Sequence, residues 1–218
     1  MRMHRQIIFG AMLFALLCTC AGVKAETSSS NQIVLDFSKG EEGKPPPDFF
    51  TALTGEGGSV SWVVKDKALA QVSTDQTDYR FPLCIYDKLI AKDVDVSVRF
   101  KAVAGEVDRA AGLVVRLKDK DNYYITRANA LEDNVRLYKV VKGSRKQFAG
   151  ANTKVSSNEW HSLKLSVKGI HFQVSFDDKM LFEANDKTFQ EAGKVGLWTK
   201  ADSLTYFDDF RITNNDAR

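Results

Sequence analysis

Hydrophobic and polar residues alternate with a period of two along most of this chain. Val94, Val96, Val98 and Phe100 are interleaved with Asp95, Ser97 and Arg99, and Leu113, Val115 and Leu117 with Val114 and Arg116. Leu163, Leu165 and Val167 alternate with Lys164 and Ser166, and Phe172, Val174 and Phe176 with Gln173 and Ser175. Successive side chains of a strand point to opposite faces, so each run predicts a strand with one buried face. Turn-forming residues separate the runs at Lys118–Asn122, Lys142-Gly143, Lys168-Gly169 and Asp177-Asp178-Lys179. Short alternating strands with such turns predict an all-β, antiparallel β-sandwich. A first strand is expected around Ile33–Phe37, followed by a loop stiffened by Pro45-Pro46-Pro47. Thr188–Ala192 is the one place where a helical turn is expected.

The N-terminus follows a different grammar. A basic stretch, Met1–Arg5, precedes the apolar run Ile7–Leu17, and Val23-Lys24-Ala25 puts short residues at −3 and −1 of a cut. This predicts a signal peptide over 1–25, cleaved after Ala25, and a secreted or periplasmic protein. The apolar run is too short to span a bilayer. Lipoprotein processing at Cys20 is the rival, and Leu17-Cys18-Thr19 suits it poorly. The expected organisation is then a flexible leader over 26–32, one domain over 33–213 and a short tail over 214–218. Cleavage removes Cys18 and Cys20 and leaves Cys84 alone, so no internal disulfide can form. Cys84 lies in Phe81-Pro-Leu-Cys-Ile-Tyr86 and is read as a small buried hydrophobe.

Charge narrows the list of partners. The formal charge of +3 resides in Arg2, Arg5 and Lys24, and the rest of the chain carries 28 basic and 28 acidic residues. Neutrality speaks against a nucleic-acid partner. Two histidines in the mature chain, His161 and His171, and one cysteine do not make a nitrogen–sulfur zinc site. Gly57-Gly-Ser-Val-Ser61 is not a nucleophile elbow, and Gly55-Glu-Gly57-Gly58 opens no helix that would cradle phosphate. Asp119-Lys-Asp121-Asn122 suits a hairpin better than a calcium loop, and Lys139–Lys146 reads as a solvated basic tip. No catalytic residue and no cofactor is implied. Glu106-Val-Asp108 and Asp93-Val-Asp95 each lack the third same-face carboxyl of a glycosidase strand. First and last strands side by side would bring Asp36 near Asp208 and Asp209. The favoured reading there is pairing with Arg211 or Lys39, and a structural calcium is the alternative.

Three segments together resemble a known family: Ala110-Ala-Gly-Leu-Val-Val-Arg116, Asn122-Tyr-Tyr-Ile-Thr-Arg-Ala-Asn129, and Gly193–Asp202 leading into Phe207-Asp-Asp-Phe-Arg-Ile212. They are similar to secreted bacterial jelly-roll domains of the concanavalin A-like lectin/glucanase superfamily, and most to the 3-keto-disaccharide hydrolase group. The resemblance implies a jelly roll and a sugar ligand. Catalytic-type members carry Glu-x-Gln-x-x-Asp where this chain has Tyr123-Tyr-Ile-Thr-Arg-Ala-Asn129. The leading expectation is therefore an exported, monomeric, non-catalytic carbohydrate-binding domain without a membrane span. A hydrolase of glycosides or 3-keto-disaccharides and an envelope protein-interaction module are the alternatives.

A sugar site needs an aromatic plane and rigid hydrogen-bonding groups. Tyr123, Ile125, Arg127 and Asn129 share a strand face, and burying Arg127 and Asn129 is costly, so that face is expected to be an open concave surface. Tyr123 or Trp198 would supply the plane, with Arg116, Arg127, Asn129 and Lys200 as polar partners. Trp62 and Trp160 are assigned to packing, and His161 and His171 to the surface.

Overall fold

The computed structural model describes residues 31–216; the expected signal peptide, most of the leader and the last two residues lie outside them. Two antiparallel sheets face each other, and there is no helix among the described residues. The strands are β1 (Gln32–Leu35), β2 (Phe49–Gly55), β3 (Trp62–Lys65), β4 (Ala68–Gln71), β5 (Arg80–Ala91), β6 (Val94–Ala104), β7 (Ala110–Asp119) and β8 (Asn122–Asn129). They continue with β9 (Asn134–Val141), β10 (Ser144–Asn152), β11 (His161–Lys168), β12 (His171–Phe176), β13 (Lys179–Asn185), β14 (Gly193–Trp198) and β15 (Leu204–Asn214). Sheet A runs β13-β12-β11-β6-β15-β4-β3, with β1 also paired to β15; sheet B runs β10-β9-β8-β7-β14-β5-β2. First and last strands do lie side by side, with Gln32 opposite Thr213 and Leu35 opposite Phe210. The expected helical turn at 188–192 is absent.

Burial differs between the sheets, and the difference locates the site. In β6 and β11 buried positions alternate with half-buried or exposed ones, because sheet A packs on one face and meets water on the other. In β7 and β8 nearly every residue is buried. Sheet B has the main core on one face, with Leu113, Val115, Tyr124 and Leu197 packing on Phe172, Phe207 and Phe210. Its other face carries a second apolar cluster of Phe81, Leu83, Ile85, Val114, Tyr123, Ile125, Tyr138 and Trp198. That cluster is covered because sheet B curls on itself. Thr54 at the end of β2 donates to Lys120 O and sits 2.9 Å from Tyr123 Oη, although three strands separate β2 from β8. Tyr79 Oη donates to Gly143 O at 2.7 Å and accepts Arg145 N–H at 3.2 Å. Opposite corners of the sheet thus meet across the concave side.

Arg116 departs from the expected alternation. The register of β7 slips beyond Val115, and Arg116 takes a left-handed φ of 49°. This bulge reverses the facing of the following residue, so Leu117 joins the cluster inside the curl. The Arg116 side chain turns toward the end of the sandwich. Its guanidinium donates to Lys92 O (2.8 Å), Phe189 O (2.8 Å) and Gly169 O (2.6 Å), and lies 3.4 Å from Asp93 Oδ1. Gly193 fits beside it because a Cβ there would stand 2.5 Å from the Arg116 carbonyl carbon.

Of the other expectations, those for Trp160 and His161 are corrected. Trp62 is core, packed on Phe207, but Trp160 is 39% exposed, with Arg99 and Lys101 over its ring. His171 is at the surface, whereas His161 is buried, stacked on Phe176 and 2.7 Å from Asp177 Oδ2. Cys84 is fully buried, which pushes its thiol pKa far up. Asp209 pairs with Arg211 at 2.8 Å, and Asp36 accepts from Ser38.

Candidate functional site

Four loops meet at one end of the curl, and each delivers one charged residue. Asp78 comes from loop 72–79, Asp108 from 105–109, Glu132 from 130–133 and Lys200 from 199–203. The ends of β8 and β9 add Arg127, Asn129, Asn134 and Tyr138. Arg127 donates to Asn134 Oδ1 (2.5 Å), Glu132 Oε2 (2.8 Å) and Tyr138 Oη (3.1 Å). Asn134 Nδ2 donates to the same Glu132 oxygen at 3.0 Å. On the other side Lys200 Nζ reaches Asp108 Oδ2 at 3.0 Å and Asp78 Oδ1 at 2.6 Å, and Asn129 Nδ2 donates to Asp108 Oδ1 at 2.9 Å. The 105–109 loop is itself fixed by Asp202, which accepts the N–H groups of Glu106, Val107 and Asp108.

The environments of the two inner carboxyls differ. Burial holds the Asp108 pKa above the usual carboxylate range despite the Lys200 ammonium. Burial also opposes ionisation of Glu132, but hydrogen bonds from Asn134 and the charge of Arg127 outweigh it and leave its pKa lowered. Glu132 and Asp78 keep exposed side chains, while Arg127 and Lys200 are mostly covered. The mouth therefore presents acceptors on its rim, aimed by cations held behind them.

Behind the mouth lies an aromatic bed. Phe81 and Trp198 stack with centroids 5.5 Å apart, and Tyr79 meets Phe81 edge-on. Arg145 of β10 spreads over the bed, its guanidinium carbon 4.7 Å from the Phe81 ring, 4.5 Å from Tyr138 and 5.6 Å from Trp198. Arg127 also packs against the Tyr138 ring, at 5.7 Å.

The six residues expected to bind ligand thus separate. Arg127, Asn129 and Lys200 come together at the mouth. Tyr123 and Trp198 share their side of the sheet, as expected, but are fully buried inside the curl; the concave face is not an open platform, because the sheet corners close over it. Arg116 does not face that side at all and is bonded to loops at the opposite end. Asp108, Glu132, Asn134, Tyr138 and Arg145 were not among the expected site residues. Arg145 falls within the run read as a solvated basic tip; its alternation with exposed Ser144 and Lys146 was the available signal.

A β-sandwich of two antiparallel sheets, one curled behind a polar mouth built by loops, defines a lectin-type domain. The family model for the galactocerebrosidase C-terminal lectin domain matches residues 85–215, and the chain belongs to that family. Levanase of Bacillus subtilis (strain 168) is 32% identical over 91 residues, which are 41% of this chain and 13% of levanase. The chain therefore spans only a small part of that relative's length. Among solved structures, the carbohydrate-binding module CBM66 from Bacillus subtilis superposes with a TM-score of 0.65 at 20% identity, covering 77% of this chain and 96% of that one. The VIP36 exoplasmic/lumenal domain in its Ca2+/Man-bound form gives 0.61 at 8% identity, covering 88% and 92%. A Bacillus subtilis protein with a galectin-like fold gives 0.57 at 13% identity, covering 77% and 89%. These three likenesses are likenesses of fold.

Proposed function

We propose that this chain is an exported, non-catalytic carbohydrate-binding domain that takes its sugar at the mouth of the curl. The observation that carries this reading is the loop-built network of Arg127, Glu132, Asn134, Asp108 and Lys200 in front of an aromatic bed. A sugar hydroxyl both donates and accepts, and is recognised best by side chains already fixed by other bonds. Glu132 and Asp78 offer exposed acceptors, and each is held by a cation. The family membership supports the same reading, as does the likeness in fold to the carbohydrate-binding module CBM66. The basic-then-apolar N-terminal sequence supports export.

The geometry also speaks against hydrolysis. A glycosidase needs one carboxyl free to give its proton and another free to attack or activate water. Asp108 has the raised pKa of an acid, but both its oxygens are engaged, by Lys200 and Asn129. The 3-keto-disaccharide hydrolase resemblance is thereby read as one of fold. Calorimetry of the purified protein against a glycan panel tests the proposal: binding should be seen, and Arg127→Ala and Glu132→Ala should weaken it at least tenfold. A folded protein that binds no glycan, or turnover of a 3-keto-glycoside that is lost in Asp108→Asn, would overturn it.

A further inference from the structure

Arg145 is a cation of this surface whose charge is unanswered. Arg80 lies 3.6 Å from Asp75, Arg127 bonds Glu132, and Lys200 bonds Asp108 and Asp78. Arg145 has no carboxylate within ion-pair distance among the described residues, and its side chain makes no hydrogen bond. Nη1 is fully buried and has no acceptor. The rings of Phe81, Tyr138 and Trp198 hold the guanidinium by their negative faces and fix its orientation. Its main chain is anchored as well, because Arg145 N–H donates to Tyr79 Oη. Nε and Nη2 make no hydrogen bond and are not fully buried, so this edge of the fork is open to a ligand.

We propose that Arg145 is a carboxylate receptor, and that the sugar taken at the mouth is a uronic acid. The inference rests on the reading of the mouth as a sugar site and goes further by stating the ligand's charge. A guanidinium edge matches a carboxylate with two parallel N–H···O bonds, whereas a single neutral hydroxyl satisfies one. The aromatic bed compensates part of the desolvation of the cation but supplies no counter-charge, and a carboxylate supplies both acceptors and charge. Because the fork is immobilised before the ligand arrives, little ordering remains to be done on binding. Arg145 shares the Tyr138 ring with Arg127. A carboxylate on Arg145 thus places the hydroxyls of the same sugar toward the Glu132 and Asn134 side of the mouth.

The experiment is calorimetric titration of the purified protein with oligogalacturonate and oligoglucuronate, each beside its methyl ester, at two salt concentrations. The acid form of at least one should bind ten times tighter or more than its ester, and the preference should shrink at high salt. Arg145→Met should erase the preference, so that acid and ester then bind alike, and Arg145→Lys should retain part of it. Since Arg145 packs on the bed, each variant is first checked for an unchanged near-ultraviolet dichroism spectrum. Should both variants repack, the wild-type comparison of acid and ester still decides. Equal affinity for acid and ester overturns the inference and leaves the sugar site standing. Binding of an acidic peptide or a sulfated glycan as tightly as of the uronate also overturns it. Absence of binding to any sugar, neutral or acidic, overturns the sugar site together with the inference.

Discussion

Replacing Arg116 with methionine tests whether this residue is a structural pin. Methionine keeps most of the length and apolar contact of the side chain and removes every donor. In the wild type the guanidinium is fully buried and serves three separate segments: the β5–β6 turn through Lys92 O and Asp93, the β11–β12 turn through Gly169 O, and the 186–192 connection through Phe189 O. The variant removes the guanidinium donor from three carbonyl oxygens and the cation from Asp93, which keeps the Gly169 N–H. Breaking a buried charged network by removing one partner costs about 3–5 kcal/mol. In a domain of this size each kcal/mol moves the melting midpoint by about 2–4 °C, so the Tm should fall by roughly 10 °C. Amide exchange should accelerate first in the turns around Lys92, Gly169 and Phe189. Glycan affinity measured well below the new Tm should be unchanged, because Arg116 lies at the far end from the mouth. A Tm within 2 °C of wild type, or a loss of sugar binding with stability intact, would refute the reasoning.

Further outcomes are expected. Asp186 is partly buried, which opposes its ionisation, but Lys139 Nζ at 2.6 Å, Thr188 and the Tyr124 hydroxyl at 2.6 Å bring its pKa down to about 2. A carboxyl with a depressed folded pKa stabilises above its unfolded value and loses that effect as pH falls. Stability should thus drop by about 2 kcal/mol between pH 5 and pH 2, and Asp186→Asn should flatten that part of the curve in urea titrations. Gly193→Ala places a methyl 2.5 Å from the Arg116 carbonyl carbon, and equilibrium unfolding should show a loss of about 2 kcal/mol or more. Cys84 should resist thiol reagents in the native state and react only at the rate of global unfolding; fast labelling would show that sheet B opens locally.

Strand positions were legible where one face meets water, as in Val94–Phe100 and Leu163–Val167, because hydrophobic alternation there records a single buried side. The common facing of Tyr123, Ile125, Arg127 and Asn129 was legible for the same reason. What alternation cannot record is a sheet that buries both faces. Nothing local to Thr54, Tyr79 or Lys120 announces that they meet, since the contact joins residues 66 apart in the case of Thr54 and Lys120. The bulge was equally silent. Arginine is a residue that seldom takes positive φ, and no glycine marked the slip at 116. Arg145 was hidden by its neighbours, since lysines at 139, 142 and 146 made the whole hairpin look solvated.

The pairing of β1 with β15 has a geometric consequence for tethering. Asn214 N donates to Asn31 O at 3.3 Å, and Asp216 accepts the N–H groups of Lys92 and Asp93. Both ends of the described chain therefore leave from one corner, beside the start of β6. The mouth is built by loops 72–79, 105–109, 130–133 and 199–203 at the opposite end of the sandwich. A surface or neighbouring domain joined through either end would sit behind the molecule, with the mouth facing outward.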